Sequence, residues 1–156
     1  MHSDEQTGGQ VDQLLGWLEG VDQRLPRKYK GAWSAIGQRG PDWISQGANS
    51  GMELLDWTLR RLAPDEEVVA WQQGTGMYVT EMNPETGKPH RSLRCRYIAH
   101  SRGLPARALD DLIGGVSKAT RILQKIKHAD EEAMAEALRS SMVGVECCLM
   151  IMWRGA

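Results

Sequence analysis

The sequence predicts an all-α protein, a helical bundle of about six or seven helices broken by one long loop that contains glycine and proline. Three observations carry this. Apolar residues recur three and four apart through most of the chain. Helix-starting and helix-stopping residues fall between those stripes, at Pro26, Gly40-Pro41-Asp42, Pro64, Pro105 and Asp130. The one β-prone run, Met77-Tyr78-Val79-Thr80, lies inside a turn-rich stretch. A chain of 156 residues, 41% hydrophobic and 25% charged, fits one core of ordinary composition, which excludes disordered and fibrous classes. Residues 1–9 are expected to be a flexible polar lead and residues 10–154 a single helical domain, with residues 73–91 as a loop insertion.

The first helix carries Val11, Leu14, Leu15, Leu18, Val21 and Leu25 on one face, and Pro26 is expected to stop it. A shorter helix follows and buries Tyr29, Trp33 and Ile36. Gly40-Pro41-Asp42 restarts the chain, and from about Asp42 a long helix can bury Ile44, Ala48, Met52, Leu55, Leu59 and Leu62. Gly47 and Gly51 weaken this helix by up to about 1 kcal/mol each relative to alanine, unless they permit another helix to come close. Pro64 suits a first helical turn, and Asp65, Glu66 and Glu67 complement the positive end of the helix carrying Val68, Val69 and Trp71.

Gln73 to His90 reads as the one long non-helical stretch, either a short hairpin or a mobile insertion. Ser92 to Ala99 is short, basic and helical. From Pro105 an amphipathic helix runs through Leu109, Leu112, Ile113, Val116, Ala119, Leu123 and Ile126 and ends near His128. Asp130, Glu131 and Glu132 open the last helix, striped by Met134, Leu138, Met142, Val145, Leu149 and Met152. So short a turn predicts that these two helices pack antiparallel.

Net charge is −1, from 19 basic and 20 acidic residues, so whole-protein electrostatics does not pull the chain onto nucleic acid or an anionic membrane. Local clusters could. The middle one holds Lys88, His90, Arg91, Arg94, Arg96, Arg102 and Arg107, with no acid from Thr86 to Leu109. No apolar run reaches the roughly 20 residues that span a bilayer, and MHSDEQTGGQ lacks the apolar centre of a signal peptide, so no membrane association and a cytoplasmic location are expected. Cys95, Cys147 and Cys148 show no C-x-x-C spacing and read as reduced core thiols. Four histidines without paired spacing predict no metal, and the absence of P-loop, nucleophile-elbow, zincin and EF-hand signatures predicts no cofactor.

Arginine and histidine chemistry remains. Arg94 and His100 are separated by five residues, Arg121 and His128 by six. This spacing resembles the R-x(4-6)-H element of the HEPN ribonucleases, in which arginine steadies phosphate charge and histidine moves a proton. Cys95 and Ile122 follow the arginines, where HEPN proteins usually carry a polar residue. The catalytic candidates are His128, Arg94 and Arg96, with Arg91, Arg121 and Lys125 as phosphate-binding residues. The competing structural readings are a helix-end role for His128 and a solvated, ion-paired face for the arginines. Of the six tryptophans, Trp17, Trp33, Trp57 and Trp71 fall on or beside apolar stripes and read as core rather than as base-stacking platforms.

Three stretches in order resemble a bacterial family, the predicted pPIWI-associating nucleases. They are WISQGANSGMELLDWTLRRLAPDEEVVAW, of which Leu62 to Val68 is the most specific part; RSLRCRYI, Arg91 to Ile98; and the closing pair LDDLIGGVSKATRILQKIKHADEEAMAEAL followed by VECCLMIM. The resemblance spans roughly Tyr29 to Met152. It implies an all-helical domain found beside other modules of anti-phage conflict systems, with an inferred nuclease activity, and it points to Arg91, Arg94, Arg96, Tyr97 and His128. The chain departs from the family pattern at Asn49-Ser50-Gly51-Met52, where Ser-x-Arg is expected, and at Leu123-Gln124, where Leu-Asn is expected. The expectation is therefore a metal-independent nuclease-like effector of a defence system acting on RNA or DNA. The alternatives are a non-catalytic helical module for interaction or dimerisation and a sensor of a nucleotide or other anion. The partners implied are nucleic acid, a protein of a defence system and a second copy of the chain.

Overall fold

The computed structural model describes residues 2–126 and 131–155, with side chains described from Gly8 onward. Its helices are α1 (His2–Val21), α2 (Leu25–Gln38), α3 (Trp43–Leu62), α4 (Asp65–Thr75), α5 (Arg91–Arg102), α6 (Ala106–Lys125) and α7 (Glu131–Arg154), with a 3-10 turn at Val79–Glu81. The fold is an all-α bundle, 82% helical, with seven helices and no strand among the described residues.

Pro26 does not stop the first helix. Helix α1 ends at Val21 and Pro26 sits in the first turn of α2, where its missing N–H costs no hydrogen bond. The break comes from Asp22. Its buried carboxylate accepts bonds from the Arg24 backbone N–H at 2.9 Å, Nε at 3.0 Å and Nη2 at 2.8 Å, with Arg61 Nε at 3.2 Å. These bonds, led by that from the Arg24 side chain, hold the carboxyl well below the usual carboxylate range. Leu25 consequently packs in the core as part of α2. Helical backbone also reaches back to His2, across the segment expected to be a lead.

Helix α3 is the centre of the bundle. Its buried face runs through Trp43, Gly47, Ala48, Gly51, Leu54, Leu55, Thr58 and Leu59, whereas Ile44, Met52 and Leu62 are only partly buried. The stripe is thus rotated toward the glycines, which an apolar count overlooks. A Cβ on Gly47 would lie 2.8 Å from Leu138 Cδ2, and one on Gly51 would lie 2.8 Å from Met142 Sδ. The two glycines let α7 approach the α3 backbone. Helices α6 and α7 pair antiparallel as expected: Gly115 meets Cys148 while Ala119 meets Gly144, so the numbering runs in opposite directions.

The stretch expected to be non-helical begins later and is more ordered in its bonding than composition suggests. Helix α4 continues through Thr75 and ends on left-handed Gly76, with φ of 68°. Tyr78 is left-handed too, with φ of 61°, and Val79–Glu81 is a 3-10 turn rather than a strand. Its ring stacks on Trp71 at 6.0 Å and lies under the Arg96 guanidinium at 4.6 Å, contacts that override the β propensity of this run. The anticipated hairpin is reduced to one antiparallel bridge, Met82 to Pro89, closed over a turn in which Asn83 Oδ1 accepts the Glu85 and Thr86 N–H groups.

Two of the three cysteines are core residues. Cys95 and Cys148 are buried, and desolvation pushes both thiols up to about 12. Cys147 is exposed, because sequence neighbours on a helix point about 100° apart. Among the tryptophans, Trp43 is buried and Trp17, Trp33, Trp57 and Trp71 pack against the core. Among the described residues, no helix is long and apolar enough to cross a membrane.

A cationic cleft at the start of helix α5

Helix α5 carries the basic segment, and its geometry separates the three candidate arginines. Arg91 and Arg94 are three residues apart and share a side, while Arg96 stands roughly 140° from Arg91 and 200° from Arg94. Arg94 is 5% exposed. Its Nη1 donates to the Ala63 carbonyl at 2.7 Å and its Nη2 pairs with Asp65 Oδ1. Ala63 is the C-cap of α3 and Asp65 opens α4, so one guanidinium satisfies a carbonyl left over at one helix end and a carboxylate at the next. Arg94 thereby fastens the hinge between α3 and α4.

Arg91 makes a two-pronged bond to Asp56 on α3, Nε to Oδ1 at 2.7 Å and Nη2 to Oδ2 at 3.0 Å, and this bond raises its basicity further. Arg96 Nε reaches both oxygens of Glu81 at 3.0 and 2.9 Å. The Tyr97 hydroxyl donates to Glu67 at 2.9 Å, and the adjacent carboxylate raises the phenol's pKa. The segment free of acid in sequence is therefore met by Asp56, Asp65, Glu67 and Glu81 from three other elements. A charge run in one dimension says nothing about its partners in three.

What the fold does gather is a cleft of about 460 Å³ between α3, α5 and α6, lined by Asp56, Arg60, Lys88, His90, Arg91 and Arg94, with Ser117 and Thr120 on the α6 wall. Arg60, Lys88 and His90 are exposed, and none has a carboxylate within 4.0 Å among the described residues. The cleft opens at the N-terminus of α5, which has His90 as N-cap, no side-chain cap and no acid in its first turn. The first-turn N–H groups of a helix lack intrahelical partners and favour negative charge. Arg60, Lys88 and His90, beside a helix start and next to the Arg91–Asp56 pair, can hold a phosphate or phosphodiester.

The other sequence-predicted residues lie elsewhere. Arg96 faces Glu81 and Tyr78 and does not line this cleft. Arg121 and Lys125 are exposed on a separate depression of 230 Å³ near the α6–α7 end, walled by Ile122, Ile126 and Met134. His128 lies outside the described residues. His100 sits about 120° around α5 from Arg94 and rests on Trp71 at 5.3 Å, so that arginine–histidine pair does not converge. Sequence reasoning missed Arg60, which comes from a different helix with no motif around it. Lys88 and His90 belonged to the basic cluster, but nothing local marked them as the members left unpaired.

Among the described residues no three His, Cys, Asp or Glu side chains gather in a metal-holding group. No curated protein and no solved structure matches the chain. A family model described as predicted pPIWI-associating nuclease matches residues 19–152, which takes in α2 through most of α7 together with the hinge that Arg94 fastens and the cleft beside it. By that match the chain belongs to the predicted pPIWI-associating nuclease family.

Proposed function

We propose that this chain is a nuclease-like effector of an anti-phage defence system and that it grips RNA or DNA in the cleft at the start of α5. The observation that carries the reading is the convergence on that helix start of Arg60, Lys88 and His90, three cationic or proton-carrying groups without a carboxylate partner among the described residues. Arg91 adds its charge at the cost of competing with Asp56. His90 is the proton-transfer group that this cleft offers, and His128 is the second candidate for the same task. Arg94 acts through the hinge rather than on substrate. Arg96, Arg121 and Lys125 are assigned no step. A metal-independent route is favoured by the cleft's content, basic groups around one carboxylate, which suits phosphate charge directly.

The test is cleavage of single-stranded RNA and DNA, in chelator, by the wild type, His90→Ala, His128→Ala and the double variant Arg60→Ala/Lys88→Ala. Loss of cleavage in the double variant and in one histidine variant supports the assignment. Cleavage unchanged in all three, or no cleavage by the wild type at high concentration, sinks it.

A second reading, a non-catalytic interaction module, is favoured by one observation: Arg91, Arg94 and Arg96 are all held by carboxylates of the same chain. It predicts a stable dimer or hetero-complex by light scattering, together with no nucleic-acid cleavage under any condition.

A further inference from the structure

A second basic depression lies at the opposite end of α5 from the cleft above. It is a hollow of about 510 Å³ where the α5–α6 turn meets the end of α7, and its charged lining is Arg102, Arg107, Arg154 and Asp111. Arg107 and Arg154 are exposed and have no carboxylate within 4.0 Å among the described residues. Arg102 is half-buried and donates from Nη1 to the Met152 carbonyl at 3.3 Å, which positions its guanidinium at the C-terminal end of α7. Burial lowers the basicity of Arg102, and no carboxylate among the described residues offsets that cost. The floor is tight: a Cβ on Gly155 would lie 2.5 Å from Leu104 Cδ2 and 3.2 Å from Arg102 Cβ, so the α7 end is pressed onto the turn.

The start of α6 faces the same hollow. Pro105 is its N-cap and supplies no side-chain acceptor, and no acid stands in its first turn, whereas α4 opens with Asp65, Glu66 and Glu67 and α7 with Glu131 and Glu132. Among the described residues, three guanidinium groups, one of them immobilised, therefore share one hollow with a single carboxylate and an uncompensated helix start. Guanidinium is the side chain best shaped to bind phosphate oxygens in pairs.

We infer that the hollow between the α5–α6 turn and the end of α7 is a phosphate-binding site, separate from the cleft at the start of α5, held by Arg102, Arg107 and Arg154. The ligand chemistry is a phosphate group, whether of a free phosphoanion or nucleotide or of a nucleic-acid strand. The site does not depend on the chain cleaving anything. It also lies on a different side of α6: the α6 residues lining the first cleft, Ile113, Val116, Ser117 and Thr120, stand on the helix roughly opposite Arg107, Ala108 and Asp111.

The test uses the full chain and the double variant Arg107→Ala/Arg154→Ala, whose positions are exposed and whose loss leaves the core untouched. Thermal shift with inorganic pyrophosphate is expected to raise the melting temperature of Arg60→Ala/Lys88→Ala, in which the first cleft is disabled, and to lose that effect when Arg107→Ala/Arg154→Ala is added to it. Two further probes distinguish the sources. A response to ATP as strong as to pyrophosphate identifies a free phosphoanion or nucleotide. Binding of a single-stranded oligonucleotide whose log–log salt slope falls by about 1.4 in Arg107→Ala/Arg154→Ala identifies strand phosphates. If adding Arg107→Ala/Arg154→Ala changes the response to none of the three probes, or if none of them binds Arg60→Ala/Lys88→Ala, the site does not exist. Failure of the nuclease reading alone would show as absent cleavage with pyrophosphate stabilisation retained.

Discussion

The two halves of helix α3 solve different problems. In the first half Gly47 and Gly51 have no side chain, and Leu138 and Met142 of α7 fill the space in a dry, close contact. In the second half Asp56 and Arg60 keep long polar side chains, and α5 stands off enough to leave a cleft of 460 Å³. One helix thus contributes both to close backbone packing and to a charged opening. The difference teaches that cations near the core are spent on structure, as Arg94 is, while those beyond the packed half remain available.

The largest expected effect would break that division at its boundary. Arg94→Leu leaves the buried Ala63 carbonyl without a donor and Asp65 without its partner, and should cost roughly 3 kcal/mol, read by denaturant unfolding. Asp65 is half-exposed, which limits its share. A loss below about 0.5 kcal/mol would mean that Arg94 is not a structural residue and would return it to the catalytic list.

Next is the dry half. Gly47→Ala places a methyl against Leu138 Cδ2 at 2.8 Å, with Ala35 Cβ at 3.5 Å and the Ala32 carbonyl at 3.7 Å behind it, so the contact has little room to relax. Overpacking should outweigh the helix-propensity gain and destabilise by about 1 to 2 kcal/mol. A stabilised variant would show that α7 can shift away.

Arg96→Ala should cost at most about 1 kcal/mol, because the partly exposed pair with Glu81 is screened by water. The same measurement on Arg60→Ala/Lys88→Ala should show a change within about 0.5 kcal/mol, since neither side chain holds anything in place. A larger loss there would move both residues from the available set to the structural one.

The finest prediction concerns thiols. At pH 8 a native-state alkylating reagent should label Cys147 alone, and all three cysteines once the chain is unfolded, counted by mass spectrometry. Labelling of Cys95 or Cys148 in the native state would mean that the α5–α6–α7 core opens readily.

Much of this architecture is legible in the sequence because helix periodicity is a local property. The stripes of α6 and α7 and the start of α4 at Pro64 follow from residue type and spacing, whereas the α3 glycines could weaken the helix or admit a neighbour, and only the packing of α7 decides for the second. The misplaced stop at Pro26 has a local cause as well. Proline is tolerated in a first turn, and the true break depends on Asp22 gathering donors from Arg24 and, across the fold, from Arg61. The candidate site was less legible. Arg91, Arg94 and Arg96 look equivalent in a basic run, and only the elements packed against α5 make one a hinge fastener, one a cleft wall and one a partner of Glu81.

By itself, then, the sequence determined the helices and their apolar faces, since periodicity is set by covalent spacing along the backbone. Which charges are neutralised and which stay open to a ligand was decided only by tertiary structure. Ion pairing depends on distances of a few ångströms between residues as far apart in the chain as Asp56 and Arg91, and chain order does not encode those distances.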